Sequence, residues 1–157
     1  NNASIIIDQR NKKYFPIRIQ DTINVGLFND DSLEEQMRYI RSSLNAISTF
    51  LDIAIKTTSL SLDETNAGEK DLLVWLSNSP IRFSDIPLLK WQPDSLASSL
   101  IEPGNGSNVF YLTKKLDSEN VVDENLPEQL LRILNINKEL EQDILKYDRD
   151  QVCWIYG

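Results

Sequence analysis

The chain has 157 residues, 41% of them hydrophobic, and a formal net charge of −8, a composition typical of one folded domain with a sizeable core. The negative charge disfavours nucleic acid as a partner, and the absence of histidine excludes Ser-His-Asp and Cys-His nucleophiles, His-ligated metal hydrolysis and haem ligation. The single cysteine, Cys153, excludes thiolate zinc clusters and iron–sulfur centres, so that only carboxylate or lysine chemistry is left.

The first predicted elements are two strands at residues 4–8 and 14–20, which are rich in β-branched and aromatic side chains. The polar residues QRNKK between them indicate a hairpin. Pro16 has no N–H group and is tolerated best on an edge strand. We therefore expect the hairpin at a margin of the sheet.

A buried strand and a long amphipathic helix are predicted next. Residues 23–28 (INVGLF) are apolar enough for a buried strand and are followed by a polar loop. Ser32, with Glu35 three residues later, has the pattern of a capping box and predicts the start of the helix. Apolar residues then recur every three or four positions, which predicts one buried helical face formed by Leu33, Met37, Ile40, Leu44, Ile47 and Leu51.

Two further strands are predicted after this helix. Residues 52–58 alternate between apolar and polar types, as in a half-buried strand. Residues 72–76 (LLVWL) are uniformly apolar, which is typical of a strand covered on both faces. This second pattern favours a parallel sheet, in which Trp75 belongs to the core.

The last third of the chain combines an irregular stretch with a strand and helices. The run 78–106 is punctuated by prolines, and we expect it to be irregular apart from a short helix around 95–100. A strand is predicted at 108–114. Asn125 and Pro127 indicate the start of a helix that turns Leu130, Leu131 and Leu134 inward, and a final helix is predicted at 138–147.

This order of strands and helices predicts a single α/β domain: a three-layer sandwich with a mostly parallel central sheet. Residues 1–20 form its N-terminal edge hairpin, and residues 21–157 form the α/β core. Ligands and partners of such folds bind at the carboxyl ends of the strands. The candidate partner surface therefore comprises Asn29, Asp30, Asp31, Ser77, Asn78, Thr113 and Lys114.

Asp30 and Asp31 stand where response-regulator receiver domains carry a magnesium-binding acidic pair, and Lys114 ends a strand as a receiver lysine does. A receiver also needs a phospho-accepting Asp after a later strand, whereas residues 72–76 are followed by Ser77 and Asn78. The simpler interpretation is that the two aspartates are loop residues before a helix. An amidotransferase-like domain would need a Cys on a Gly-flanked elbow, which the sequence lacks. We expect no catalytic residue, no cofactor and no metal site.

Several segments together resemble the soluble part of BatA-like bacterial membrane proteins. They are an extended segment with Asp8, Tyr14 and Phe15, then INVGLF, EEQMRYIRSSLNAI, DLLVWLSNSP, NVFYLTK with NLPEQLLRIL, and YDRDQ near the end. That family is associated with aerotolerance operons and has an N-terminal pair of transmembrane helices. The resemblance implies a noncatalytic domain held beside a membrane. The DxSxS metal motif of von Willebrand A domains is absent, because Gln9, Arg10 and Asn11 follow Asp8.

The function expected from this is a noncatalytic protein-interaction domain of a bacterial membrane-anchored protein, linked to stress or aerotolerance. Its partners are then protein subunits of a membrane complex, and its location is the periplasmic side of the inner membrane. The alternative is a degenerate receiver-like or amidotransferase-like domain that binds a small ligand or a cation.

Overall fold

The computed structural model describes residues 22–63, 68–82 and 85–134, and the backbone of residues 3–8 and 13–18. The helices are α1 (Glu34–Leu51), preceded by a 3-10 turn at Asp31–Leu33, α2 (Asn120–Asp123) and α3 (Leu126–Ile133). The strands are β1 (Ala3–Asp8), β2 (Lys13–Arg18), β3 (Ile23–Asn29), β4 (Ile55–Ser59), β5 (Leu72–Leu76), β6 (Leu88–Trp91), β7 (Ile101–Pro103) and β8 (Val109–Leu112).

A six-stranded sheet with the order β4-β3-β5-β6-β8-β7 organises the molecule. All neighbouring strands run parallel except β7, which is antiparallel to β8. The predicted α/β fold with a mostly parallel sheet is therefore confirmed. The chain places β4 on one side of β3 and all later strands on the other side. This reversal makes the boundary between β3 and β5 the topological switch point of the sheet.

The predicted N-terminal hairpin forms, with β1 and β2 antiparallel and Ala3 opposite Arg18. Its predicted place at a margin of the sheet is wrong, because β1 and β2 make a separate two-stranded sheet. The margins of the six-stranded sheet are β4 and β7. The two strands of a hairpin bond to each other on one side and can leave the other side unpaired. A proline such as Pro16 therefore indicates an edge strand without specifying the sheet to which that strand belongs.

The main core lies between one face of the sheet and the helices α1 and α3. The face that α1 turns to the sheet is the predicted one, and of its residues only Leu51 is partly exposed. Alternate residues of β3 and β5 pack against this face of α1. In α3, Leu130 is fully buried, whereas Leu131 and Leu134, which follows the helix, pack at the margin of the core. The periodic apolar pattern of α1 thus predicted its buried face correctly, whereas α3 buries Leu126, Leu130 and Ile133 and leaves the predicted Leu131 and Leu134 partly exposed.

The opposite face of the sheet carries a smaller core of Leu73, Trp75 and Leu88. Loop residues cover it, among them Leu60 and Ile81. Gly26 permits this cover: a Cβ at this position would lie 2.9 Å from Leu60 Cδ1 and 2.7 Å from Leu73 Cδ2. Over the described ranges, the helices that contact the core therefore lie on one face of the sheet only. The helix predicted at 138–147, like Cys153, lies outside the described residues.

Two element boundaries differ from the predictions. The capping box at Ser32 does not form, because the chain enters α1 through the 3-10 turn, with Leu33 N–H donating to the carbonyl of Asp30 at 2.9 Å. The strand predicted from residue 52 starts at Ile55, because Asp52 ends α1 in the left-handed conformation, with φ 53°. At both ends of α1, the backbone hydrogen bonds therefore include a residue, Asp31 or Asp52, that the side-chain pattern placed outside the helix.

The run 78–106, predicted to be irregular, contains the short strands β6 and β7, and no helix forms at 95–100. Side-chain acceptors hold this region in turns: Asp94 accepts from Leu96 N–H, and Glu102 accepts from Ser98 and Ser99 N–H. Such local bonds compete with helix formation. Leu96, which a buried helix would have covered, is 91% exposed.

The main core can be tested by truncating one buried residue of the helix and one of the central strand that form it. We expect Leu44→Ala in α1 and Val74→Ala in β5 to lower the free energy of unfolding by about 2–4 kcal/mol, because both side chains are fully buried. Phe50→Ala in α1 is the control and should change stability by less than about 0.5 kcal/mol, since Phe50 is 88% exposed. Denaturant midpoints measure all three. An unchanged midpoint for Leu44→Ala or Val74→Ala would contradict that residue's place in the core.

Candidate functional site

The carboxyl ends of β3, β5, β6 and β8 lie at one edge of the sheet, because these strands are parallel. We call this the carboxyl edge. It carries the loop after β3 with Asn29, Asp30 and Asp31, the loop after β5 with Ser77 and Asn78, and the loop after β8 with Thr113 and Lys114. All the residues of the predicted partner surface are therefore on the same edge of the sheet.

At the switch point the loops after β3 and β5 are joined by Asp30 and Ser77. The Ser77 hydroxyl donates to Asp30 Oδ1 at 2.8 Å, and the backbone N–H of Asn78 donates to Asp30 Oδ2 at 3.4 Å. The backbone N–H of Asp30 donates in turn to the carbonyl of Leu76 at 3.0 Å. We call this set of bonds the Asp30–Ser77 bridge. It joins the two loops that flank the switch point, where doubly wound folds bind their ligands.

The conformation of the loop after β5 is also fixed by Trp75, which lies in the strand before it. The Trp75 indole N–H donates to the carbonyl of Ser79 at 3.0 Å, and the Ser79 N–H donates to the Ser77 hydroxyl at 2.9 Å. Trp75 also stacks on Phe28, with ring centroids 4.3 Å apart. The conformation of the loop is thus set by an aromatic core residue and a buried hydroxyl, both of which have their polar groups satisfied.

The loop after β8 takes part in the edge differently. The Thr113 side chain is buried and its hydroxyl donates to the carbonyls of Ser99 and Leu100 at 2.6 and 3.1 Å. Lys114 lies 3.9 Å from a carboxylate oxygen of Glu124. Of the predicted surface residues, Asp30, Ser77 and Asn78 are joined by hydrogen bonds between the first two loops. Thr113 has a structural role, and Lys114 lies beside Glu124, which follows α2.

Gln36 connects this third loop to α1, which the sequence did not predict. Its side chain is 5% exposed, accepts a hydrogen bond from the backbone N–H of Leu116 and donates to the carbonyl of Leu116. The feature of the sequence that could have indicated this contact is a polar residue beside Leu33, Met37 and Ile40 on the apolar face of the helix. A buried amide needs partners for both its donor and its acceptor, so such a position indicates a tertiary contact.

The edge offers exposed charges, whereas the Ser77 hydroxyl is buried. Ser77 is fully buried and its hydroxyl hydrogen is held by Asp30. Asp31, Glu34 and Glu35, by contrast, are exposed beside it. Within the described residues, no group of three or more Asp, Glu, Cys or His side chains could hold a metal ion. The arrangement is suited to contacts with another polar surface.

Two grooves lie away from the Asp30–Ser77 bridge. The larger, of about 330 Å³, runs between β7 and α3, and the smaller, of about 130 Å³, lies between α1 and β4. In the larger groove, donation from Ser98 N–H, from the Ser98 hydroxyl and from Ser99 N–H lowers the pKa of Glu102. The Glu102 carboxylate thus stabilises the turn fully above the ordinary glutamate pKa. This stabilisation is lost as the pH falls through the lowered pKa of Glu102.

The Asp30–Ser77 bridge can be measured by a double-mutant cycle. Asp30→Ala should lower the free energy of unfolding by about 1–3 kcal/mol, because it leaves the buried Ser77 hydroxyl without its acceptor. The double variant Asp30→Ala/Ser77→Ala should cost less than the sum of the single variants, which gives the coupling energy. Asp31→Ala is the exposed control and should change stability by less than about 0.5 kcal/mol. Additive effects of the two single variants would contradict the bridge.

Comparisons with protein-family models, with curated proteins and with solved structures found no match for this chain. In the part of the chain that the structure describes, none of the helices has the length and apolar character needed to cross a membrane. The candidate site therefore rests on the geometry of its own loops.

Proposed function

We propose that the chain is a noncatalytic protein-interaction domain of a bacterial membrane-anchored protein, and that it binds protein subunits of a membrane complex through its carboxyl edge. The observation that carries the proposal is the Asp30–Ser77 bridge. Asp30 accepts from a buried hydroxyl and from a backbone N–H of the neighbouring loop, so its carboxylate supports the surface. A switch point whose loops are bonded to each other favours a docking surface over a small-molecule pocket.

The charges around the bridge supply contacts for a protein partner. Asp31, Glu34 and Glu35 are exposed on the side of α1, and Lys115 is exposed on the side of β8, where Lys114 is partly exposed. Charged groups of both signs on one edge favour a partner with a complementary pattern. The loops after β3 and β5 are already ordered by hydrogen bonds, which reduces the entropy lost on binding.

The membrane part of the proposal rests on the resemblance to BatA-like proteins, which places such a domain beside the inner membrane on the periplasmic side and links it to aerotolerance or stress. The gene that encodes the chain discriminates between the hypotheses. Transmembrane helices flanking this region would favour the anchored interaction domain. An output domain or a histidine-kinase partner would favour the receiver-like alternative.

The strand order is the observation that favours this alternative. The parallel strands β4-β3-β5-β6-β8 follow the doubly wound order found in receiver-like folds, and the acidic pair follows the first of them in the chain. Against it, Ser77 occupies the position of the phospho-acceptor and is buried, while Lys114 is directed to Glu124. Fold-level likeness alone supplies no chemistry.

A charge exchange on the carboxyl edge tests the docking surface. Asp31→Lys/Lys114→Glu reverses both signs and leaves the net charge unchanged, and Asp30 is kept because it supports Ser77. We expect association with membrane subunits that co-purify with the wild type to weaken by roughly tenfold, while the melting temperature changes little, because surface charges contribute little to stability. Quantitative pull-down and thermal unfolding measure the two effects.

The matched control is the same exchange at the opposite edge of the sheet, Glu69→Lys/Lys70→Glu, in the segment before β5. It should leave association unchanged. Equal binding by the wild type and both variants would remove the carboxyl edge as the docking surface, and equal weakening by both would point to a nonspecific charge effect.

The receiver-like alternative is tested with magnesium and a small-molecule phosphodonor. We expect intact-mass spectrometry to detect no phosphorylated product, because Ser77 stands in place of the acceptor aspartate and is shielded from solvent. A receiver domain of known activity serves as the positive control. A stoichiometric gain of one phosphate on this chain would overturn the noncatalytic function.

A further inference from the structure

The two margins of the six-stranded sheet differ in their capacity to accept another strand. β7 consists of three residues and ends at Pro103, which has no N–H group to donate. β4 consists of five residues, Ile55–Ser59, contains no proline, and among the described elements pairs only with β3. Exposed edges are usually short, bulged, interrupted by proline or lined by charged side chains such as lysine, of which β4 has one, Lys56. The β7 margin has this protection and β4 lacks the proline.

The hydrogen bonds of β4 identify which of its backbone groups point outward. Ile23 N–H donates to the carbonyl of Ala54 at 2.9 Å, and Leu60 N–H donates to the carbonyl of Leu27 at 2.8 Å. Because alternate residues of a parallel strand bond to the same neighbour, Lys56 and Thr58 also face β3. The N–H and C=O groups of Ile55, Thr57 and Ser59 therefore face away from the sheet.

We propose that β4 pairs with β4 of a second copy of this chain, antiparallel and centred on Thr57, to form a symmetric dimer with a continuous sheet. In this register Thr57 is opposite the partner's Thr57, and Ile55 is opposite the partner's Ser59. Every outward N–H and C=O of β4 then has a partner. A shift by two residues in either direction leaves outward groups at the strand ends unpaired, so the centred register satisfies the most hydrogen bonds.

The side chains of β4 also fit this register. Thr57 meets Thr57 of the partner, a favourable cross-strand pair, and Lys56 meets the partner's Thr58, so no like charges are opposed. The residue composition of an isologous interface must be complementary to itself. β4 meets this requirement because its only charged residue, Lys56, is off the two-fold axis.

Helix α1 extends the complementarity beyond the strand. The groove between α1 and β4 is lined by Arg41, Asn45 and Ser48 together with Ile55 and Thr57. Arg41 Nη2 donates to Ser59 Oγ at 3.1 Å, and Ser48 Oγ donates to the carbonyl of Ile53 at 2.6 Å. Asn45, between Arg41 and Ser48 on this stripe of α1, lines the same groove as Thr57 and so lies beside the strand residue on the proposed axis.

The two-fold axis sets the two copies of α1 side by side and antiparallel on one face of the joined sheet. Residues equally far from Asn45 in opposite directions then lie at the same level. Arg38 in α1 and Asp52 at its C-cap, both exposed and seven residues before and after Asn45, are such a pair. Arg38 of each copy is thus level with the partner's Asp52, which adds two symmetry-related contacts of opposite charge.

The proposal is tested by the concentration dependence of the mass in sedimentation equilibrium or light scattering. The wild-type chain should rise from 18.0 kDa towards twice that mass, with a dissociation constant on the order of 10–100 μM, as expected for a small polar interface. Thr57→Pro removes an outward N–H and no bond to β3, so it should weaken the dimer by roughly tenfold or more. Thr57→Val keeps the N–H and should dimerise within about twofold of the wild type.

Amide hydrogen exchange of the wild-type chain gives a second readout that does not depend on the folding of any variant. Exchange at Ile55, Thr57 and Ser59 should slow as the protein concentration rises, whereas Thr58, bonded to β3, should be protected at every concentration. A mass of 18.0 kDa at all concentrations up to the millimolar range would overturn the proposal. So would a folded Thr57→Pro variant that dimerises as the wild type does. Neither outcome depends on the carboxyl-edge function.

Discussion

The fold depends on the burial of β5 on both of its faces. All five residues, Leu72–Leu76, are buried, and alternate residues belong to the two separate cores of the domain. A strand in this position cannot leave polar groups unsatisfied, because its surroundings offer no water. The neighbouring strands β3 and β6 must therefore pair along it, and the parallel pairing fixes the carboxyl edge on which the candidate site lies.

The same constraint explains the bond between Ser77 and Asp30. The chain leaves β5 at Ser77, which is still fully buried, so its hydroxyl needs a partner inside the protein. Asp30 supplies the acceptor from the neighbouring strand, and its carboxylate is thereby committed to the support of the loop. A side chain that is required for the burial of the central strand is poorly placed to serve as a metal ligand or a base. The exposed neighbours Asp31 and Glu34 are the residues that the proposed function assigns to contacts with a partner.

Much of the fold was predictable because its strongest signals are local and repeated. The spacing of apolar residues in α1 predicted its buried face, and the uninterrupted apolar run predicted β5. The start of α1 was not predictable from Ser32, because the backbone path there depends on the attachment of Asp30 to the end of β5. The strands β6 and β7 were not predictable, because both are short and prolines surround them. The positions of the site residues could be predicted, because they follow the ends of predicted strands. The bond between Asp30 and Ser77 could not, because it depends on which strands are neighbours in the sheet, and the periodicity of the sequence carries no information about that.

The geometry of the proposed dimer has a consequence for the carboxyl-edge surface. Antiparallel pairing of β4 reverses the direction of every parallel strand between the two copies, so the two carboxyl edges lie at opposite ends of the joined sheet. Each edge then remains accessible, because the interface uses the outer side of β4 and one flank of α1, while the Asp30–Ser77 bridge lies between β3 and β5. Dimer formation and partner binding would therefore use separate surfaces. A symmetric assembly of this kind could hold two partner subunits at once, and linkage of the two sites would increase the overall affinity for a partner that is itself paired, without any new contact.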